Sequence, residues 1–287
     1  MAGEGFLVSS AWLADRLAEP GICVLDCTTR ILPDPVTVYR TEPVRDGFEK
    51  AHIPGACFVD MRTELSDPGH RYPFMRPSAD AFADAVGRLG IGNDTQVVLY
   101  STLDPWWATR AWWLFRSFGH EKVAVLDGGL GRWQAEGRRV QSGPNLRPDP
   151  VPFEAREVSG MFVDRDAVLN AIGDGRVCTV NARLPSNFAG IDGNSYGRPG
   201  RIPGSVNVPA VSLYDATTGL MLPLETLGER FAAVRAGQRQ VITYCGHGIA
   251  ASADAFALAM LGHEKVAIYD ASLSEWAGDA RLPLEVG

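Results

Sequence analysis

Gly119-His120-Glu121-Lys122-Val123-Ala124 returns, residue for residue, as Gly262-His263-Glu264-Lys265-Val266-Ala267. Each copy runs into a short apolar stretch, an aspartate (Asp127, Asp270) and a Leu-x-x-Trp tetrapeptide, Leu130 to Trp133 and Leu273 to Trp276. Upstream, Ile53-Pro54-Gly55-Ala56 is echoed by Ile202-Pro203-Gly204-Ser205, and Val24-Leu25-Asp26 by Thr179-Val180-Asn181. Markers in the same order in both halves identify a tandem duplication, a feature that fixes the architecture before any single element is read. The join falls in the stretch from Gln141 to Ala155, where prolines at 144, 148, 150 and 152 remove backbone donors and fix φ. The expected division is a first domain over 1–142, a proline-rich linker over 143–155 and a second domain over 156–287.

Within the second half, Cys178-Thr179-Val180, Ser205-Val206-Asn207-Val208, Val241-Ile242-Thr243-Tyr244 and Val266-Ala267-Ile268-Tyr269 read as buried strands. Between the last two, Ile249, Ala253, Phe256, Ala257 and Met260 recur at helical spacing and predict a helix from about Ser252 with one core-facing stripe. Gly262 is placed to stop it. Strand and helix alternating in this way predict an α/β fold in each half, a mostly parallel sheet flanked by helices. Ligands of such sheets bind beyond the carboxyl ends of the strands.

The composition excludes several classes. The 287 residues carry a formal net charge of -7, which argues against a nucleic-acid surface and leaves room for a local basic pocket and a small anionic substrate. There is no apolar run of membrane-spanning length and no signal-peptide pattern over Met1 to Ser10, so a cytoplasmic location is expected. The five cysteines are odd in number and form no C-x-x-C pair, and the five histidines are scattered. Neither a disulfide framework nor a metal site is expected, and no cofactor motif occurs.

One cysteine stands apart. Cys245 follows the strand ending at Tyr244 and opens the turn Cys245-Gly246-His247-Gly248-Ile249-Ala250-Ala251 ahead of the helix. Two glycines allow a tight curl that aims several N–H groups at one atom, and the helix N-terminus adds partial positive charge. Both favour thiolate, the reactive form. The competing reading, a buried structural thiol, is assigned instead to Cys23, Cys27, Cys57 and Cys178, which lie in or beside strand patterns. A cysteine phosphatase would need an arginine six residues on to grip phosphate. Ala251 stands there, and no Arg or Lys occurs between Cys245 and Met260. Sulfur transfer through a cysteine persulfide, stabilised by backbone donors without a cofactor, is the remaining chemistry.

The tandem halves, the Ile-Pro-Gly markers, the loop Tyr244-Cys245-Gly246-His247-Gly248-Ile249-Ala250-Ala251 and the closing run Tyr269 to Trp276 resemble two-domain rhodaneses, the thiosulfate and 3-mercaptopyruvate sulfurtransferases. Thr109-Arg110-Ala111-Trp112-Trp113 and Asp127-Gly128-Gly129 are similar to the family's first domain. The resemblance implies two tandem rhodanese-like domains, the first catalytically silent; Ser101 indeed follows Tyr100 where Cys245 follows Tyr244. It implies catalysis by Cys245, with Gly246, His247, Gly248, Ile249, Ala250, Arg183 and Arg198 as candidate substrate-binding residues. It also implies a small anionic sulfur donor and a thiol, cyanide or thioredoxin-like acceptor. Thiosulfate-preferring members carry basic residues directly after the cysteine; Cys245-Gly246-His247-Gly248 is closer to the Cys-Gly-Ser/Thr-Gly loop of mercaptopyruvate-preferring members. The chain departs from the family pattern in Asn181-Ala182-Arg183 for Asp-x-Arg, in Asn187 for an arginine before Phe188, and in Phe74 for a histidine. Arg198 and Arg201 are the candidates for the downstream arginine. A rhodanese-like binding module without catalysis is the alternative. Trp106 and Trp107 are assigned to packing between the domains, and His120 and His263 to structural roles.

Overall fold

The computed structural model describes residues 5–34, 38–192, 196–234 and 240–287. The first four residues, part of the N-terminal stretch discussed above, lie outside that set. The first half contributes β1 (Leu7–Val8), β2 (Ile22–Asp26), β3 (Thr29–Asp34), β4 (Val38–Pro43), β5 (Cys57–Phe58), β6 (Gln96–Tyr100) and β7 (Val123–Leu126). The second contributes β8 (Phe162–Val163), β9 (Val177–Asn181), β10 (Val206–Asn207), β11 (Gln240–Tyr244) and β12 (Val266–Tyr269). One sheet runs β1-β7-β6-β2-β5 and the other β8-β12-β11-β9-β10, the same order twice. Every pairing within these two sheets is parallel. Their central strands are buried on both faces, as Val97–Tyr100 and Val241–Tyr244 show, so they read as continuous apolar runs.

The duplication persists in local chemistry. Asp26 Oδ1 accepts the Thr28 N–H at 2.9 Å, and Asn181 Oδ1 accepts the Arg183 N–H at 2.8 Å. Asn181 thus closes the same Asx turn that Asp26 closes, because the turn needs an acceptor oxygen and not a charge.

The helices Trp106–Ser117 and Ala251–Met260 follow β6 and β11 and pack against each other across the two halves. Thr109 Oγ1 and Ser252 Oγ meet at 2.8 Å, and Ser252 Oγ also donates to the Trp106 carbonyl at 3.2 Å. This junction corrects the expected single stripe: all of Ala251 to Leu258 is buried, since the face away from its own sheet is covered by the other domain's helix. A helix apolar all round is the pattern for that environment. Its start at Ala251 lies one residue ahead of the expected position. Trp107 is buried and packs on Phe74 at 5.1 Å between ring centroids.

The segment between the halves carries no named element from Glu136 to Met161, but it is bonded down and not a loose tether. Val151 N–H donates to Gly87, Arg156 N–H to Phe118 and Val158 N–H to Ser117, all at 2.9–3.0 Å. No helix among the described residues is long and apolar enough to cross a membrane.

β3 and β4 form a separate two-stranded antiparallel sheet, bonded to neither five-stranded sheet. This hairpin leaves the first domain just after the carboxyl end of β2. It reaches the second domain's cysteine loop.

Candidate active site

The strand β11 delivers Cys245 to the carboxyl edge of the second sheet, where it is only 4% exposed. Three backbone ties fix the turn. The Cys245 N–H donates to Ser272 Oγ at 3.1 Å, the Cys245 carbonyl accepts from Leu273 N–H at 3.2 Å, and the Gly246 carbonyl accepts from Ser274 N–H at 3.0 Å. Ser272 carries φ of 51°, in the left-handed region that costs a side-chain-bearing residue of order 1 kcal/mol. The repeat places Gly129, with φ of 53°, at the same position in the first half. In the second half a hydroxyl holds the cysteine amide in return for that strain. The sequence carried the signal, in the closing run Tyr269 to Trp276, but not the role.

No acceptor among the described residues takes the N–H groups of Gly246, His247, Gly248, Ile249 or Ala250. Buried amides seek partners, so this run of donors is available to an anion. The corresponding loop of the first domain, where Ser101 stands in place of Cys245, differs. Its Thr102 N–H goes to Thr28 Oγ1 at 2.9 Å and its Leu103 N–H to Ser101 Oγ at 3.3 Å.

The two glycines of the turn have separate reasons. Gly248 has φ of 73°, and a Cβ there would stand 2.7 Å from the Asp270 carbonyl. Gly246 is overlain by Tyr196, whose hydroxyl occupies the place a Cβ would take.

His247 is half-buried between two tyrosines. Its ring meets Tyr39 edge-on at 5.1 Å and Tyr196 edge-on at 5.0 Å, and Nδ1 is hydrogen-bonded to the Tyr39 hydroxyl. Burial, then the charges of Arg183 and Arg62, push its pKa down to about 4. The imidazole is therefore neutral near neutral pH. Burial, with the Cys245 charge adding to it, pushes the Tyr196 phenol up to about 12.

The Arg183 guanidinium lies 5.1 Å from the Tyr196 ring centre. Among the described residues no carboxylate pairs with Arg183 or with Arg62. Arg198 is placed otherwise. Its guanidinium donates to the carbonyls of Trp276, Ala277, Asp279 and Leu282 at 2.6–3.2 Å. With its donors committed, it clamps the C-terminal segment and is not brought to the cysteine turn. Arg201 pairs with Glu285 at 3.5 Å and bonds the Gly287 carbonyl. The structure thus brings together Cys245, Gly246, His247, Gly248, Ile249, Ala250 and Arg183, leaves out Arg198, and adds Tyr39, Arg62, Tyr196 and Ser272.

Beneath the turn lies a buried ion pair between the domains. Arg110 Nη1 approaches Asp270 Oδ1 at 2.6 Å, with the side chains 1% and 6% exposed. The pair is a contact of charge and not an aligned hydrogen bond. Arg110 Nη2 donates to the Phe74 carbonyl at 2.5 Å, and Asp270 Oδ2 accepts the Arg76 N–H at 2.7 Å. Phe74, standing where the family usually has histidine, is buried with φ of 64° and serves this junction through its backbone.

The other thiols are placed as structural groups. Cys27, Cys57 and Cys178 are at most 5% exposed, and burial pushes Cys23 up to about 12 and raises Cys27 and Cys57. His120 bonds the Thr95 carbonyl at 3.0 Å. Among the described residues no group of three His, Cys, Asp or Glu side chains is placed to hold a metal ion.

Two duplicated α/β sheets with one cysteine in a turn of free amides define a cysteine-loop protein of tandem type. The model of the rhodanese-like domain matches residues 9–136 and 164–279, and the chain belongs to that family. It is 34% identical to the thiosulfate sulfurtransferase of Gallus gallus, over 94% of this chain and 92% of that one. It is 33% identical to the 3-mercaptopyruvate sulfurtransferase of Homo sapiens, over 96% and 93%. Among solved structures it is similar to SseA from Escherichia coli, a 3-mercaptopyruvate sulfotransferase. That match has a TM-score of 0.81 at 30% identity and covers 93% of this chain and 98% of that one.

Proposed function

We propose that this protein is a sulfurtransferase that carries sulfur as a persulfide on Cys245. The observation that carries the reading is the placement of a buried cysteine at a strand end, at the head of a turn whose next backbone N–H groups have no protein acceptor among the described residues. Such donors stabilise a sulfur anion as an oxyanion hole stabilises oxygen. In the first half-reaction the Cys245 thiolate attacks the outer sulfur of the donor and a new S–S bond forms. From thiosulfate, the S–S bond of the donor breaks and sulfite leaves with the electron pair. From 3-mercaptopyruvate, the C–S bond breaks and pyruvate leaves as its enolate, which takes a proton at carbon. In the second half-reaction a nucleophilic acceptor removes the outer sulfur and Cys245 regains its thiolate. The family resemblance supports this reading over a binding module, since the relatives are named as sulfurtransferases along nearly the whole chain.

Arg183 and Arg62 supply positive charge for an anionic donor, while the Arg198 guanidinium is held by carbonyls of the C-terminal segment. The turn itself is uncharged, because His247 is neutral. That balance favours 3-mercaptopyruvate, with one carboxylate, over doubly charged thiosulfate. The relatives are named for both donors, at 34% and 33% identity, and do not decide the preference. A cytoplasmic location belongs to the same proposal, and cell fractionation tests it, since a relative from Arabidopsis thaliana is mitochondrial.

The test is intact-mass analysis after exposure to each donor, with steady-state rates on both side by side. One added sulfur on Cys245, absent in Cys245→Ser, is expected. Sulfur retained by Cys245→Ser, or found on Cys178, overturns the assignment.

A further inference from the structure

The cysteine turn is covered by three rings from three separate parts of the chain. His247 belongs to the turn itself. Tyr196 comes from the segment after β9, and its hydroxyl lies against Gly246. Tyr39 comes from β4 in the other domain, 208 residues from its hydrogen-bond partner His247. The Tyr39 and Tyr196 hydroxyls also bond each other, so the three rings form one cluster. Cys245, in the same turn, is 4% exposed, and its charge acts on both phenols.

The strand that brings Tyr39 is built differently from the rest of the site. The β3–β4 sheet pairs with no other strand among the described residues, and its base is tied by Val44 N–H to the Thr28 carbonyl at 3.2 Å. Tyr39 lies beyond that tie, opposite Pro33 in the ladder. Its position over the second domain therefore depends on the contacts its ring and hydroxyl make there, not on a sheet.

We propose that Tyr39 is a specificity-determining residue: it closes the Cys245 sulfur to bulky acceptors while a small nucleophile passes. This rests on the sulfurtransferase reading above and names which acceptors the same site admits. In the discharge step the acceptor's lone pair bonds to the outer sulfur, the persulfide S–S bond breaks, and its electron pair returns to Cys245 Sγ. The outer sulfur's proton leaves with the product and is lost to water. A bonding trajectory needs the acceptor atom at contact distance along that S–S axis. Cyanide, two atoms long, meets this under a ring cover. A thiol within a peptide brings its neighbours with it and meets Tyr39.

The experiment compares second-order discharge of the loaded enzyme by cyanide and by reduced glutathione, in wild type, Tyr39→Phe and Tyr39→Ala. Tyr39→Ala should raise the glutathione-to-cyanide ratio by about tenfold or more. Tyr39→Phe, which keeps the ring but loses its tie to His247, should fall between. Tyr39→Leu, which suits a strand, replaces the alanine variant if that variant does not fold. A ratio within about twofold of wild type in the truncated variant overturns the proposal. Alkylation of the unloaded thiol, by iodoacetamide against a pyrene maleimide, reads the cover without any persulfide. The truncation should speed the bulky reagent selectively, and equal speeding of both overturns the proposal. A wild-type enzyme that takes up no sulfur overturns the sulfurtransferase reading alone, and the alkylation ratio still decides the role of Tyr39.

Discussion

Replacing Arg110 by methionine tests how the two domains are locked beneath the cysteine turn. The guanidinium and the Asp270 carboxylate are 1% and 6% exposed and 2.6 Å apart, so neither charge is solvated once its partner is lost. Removing one member of a buried pair costs about 3–5 kcal/mol, because the other charge is left behind. Asp270 keeps the Arg76 N–H as a donor, which places Arg110→Met toward the lower end, about 3 kcal/mol. For a chain of this size that is a fall in Tm of about 6–12 °C. Asp270→Asn keeps an acceptor for Arg76 but strands the Arg110 charge, and it should cost a similar amount. The double variant Arg110→Met/Asp270→Asn buries no charge at all. It should be more stable than the sum of the singles by about 2–3 kcal/mol. Thermal and urea unfolding followed by circular dichroism supply the cycle. Additivity within about 0.5 kcal/mol would falsify the pair as the energetic link between the domains.

Further outcomes follow from other parts of the site. Asp254 is fully buried without a hydrogen-bond partner among the described residues, and burial raises its carboxyl well above 3.8. The folded state then holds a proton that the unfolded chain releases, so stability contributed by this group is present in acid and lost as pH rises above 3.8 toward the raised value. Asp254→Asn should flatten that slope, and Tm at pH 5 compared with pH 8 checks it. Ser272→Ala removes the acceptor of the Cys245 N–H while keeping the left-handed strain. A stability loss of about 1–2 kcal/mol and a fall in kcat are expected from unfolding curves and single-turnover rates. Ser101→Cys should gather no persulfide by mass analysis, since the Thr102 and Leu103 amides beside it are already bonded. His247→Lys should move the kcat/KM ratio toward thiosulfate by about tenfold, and an unchanged ratio in a folded, persulfide-forming variant would refute loop charge as the basis of donor choice.

The repeat at Gly119 and Gly262, the strand pattern at Val241–Tyr244, and the Gly-x-Gly turn after Cys245 made the duplicated parallel architecture and the candidate nucleophile legible from sequence. These features are local: a strand buried on both faces must be apolar throughout, and a tight turn ahead of a helix must be permissive in φ. The family resemblance offered both Arg183 and Arg198; the fold sets Arg183 against Tyr196 beside the turn and ties Arg198 to carbonyls of the C-terminal segment. Whether an arginine reaches a substrate or four nearby carbonyls depends on where the chain end lies, and no spacing records that.

The burial of every face of the helix Ala251–Met260, the ion pair of Arg110 with Asp270, the Ser272 hydroxyl under the Cys245 amide and the cover by Tyr39 were decided by tertiary structure alone. Each joins residues far apart in the chain or from opposite halves. Periodicity reports which face of an element is apolar, not which distant surface will meet it. The sequence by itself determined two parallel sheets and a cysteine at the edge of the second. Only the packing of one half on the other decided what surrounds that cysteine, because burial and proximity, not residue type, set the charge of His247 and the access to its sulfur.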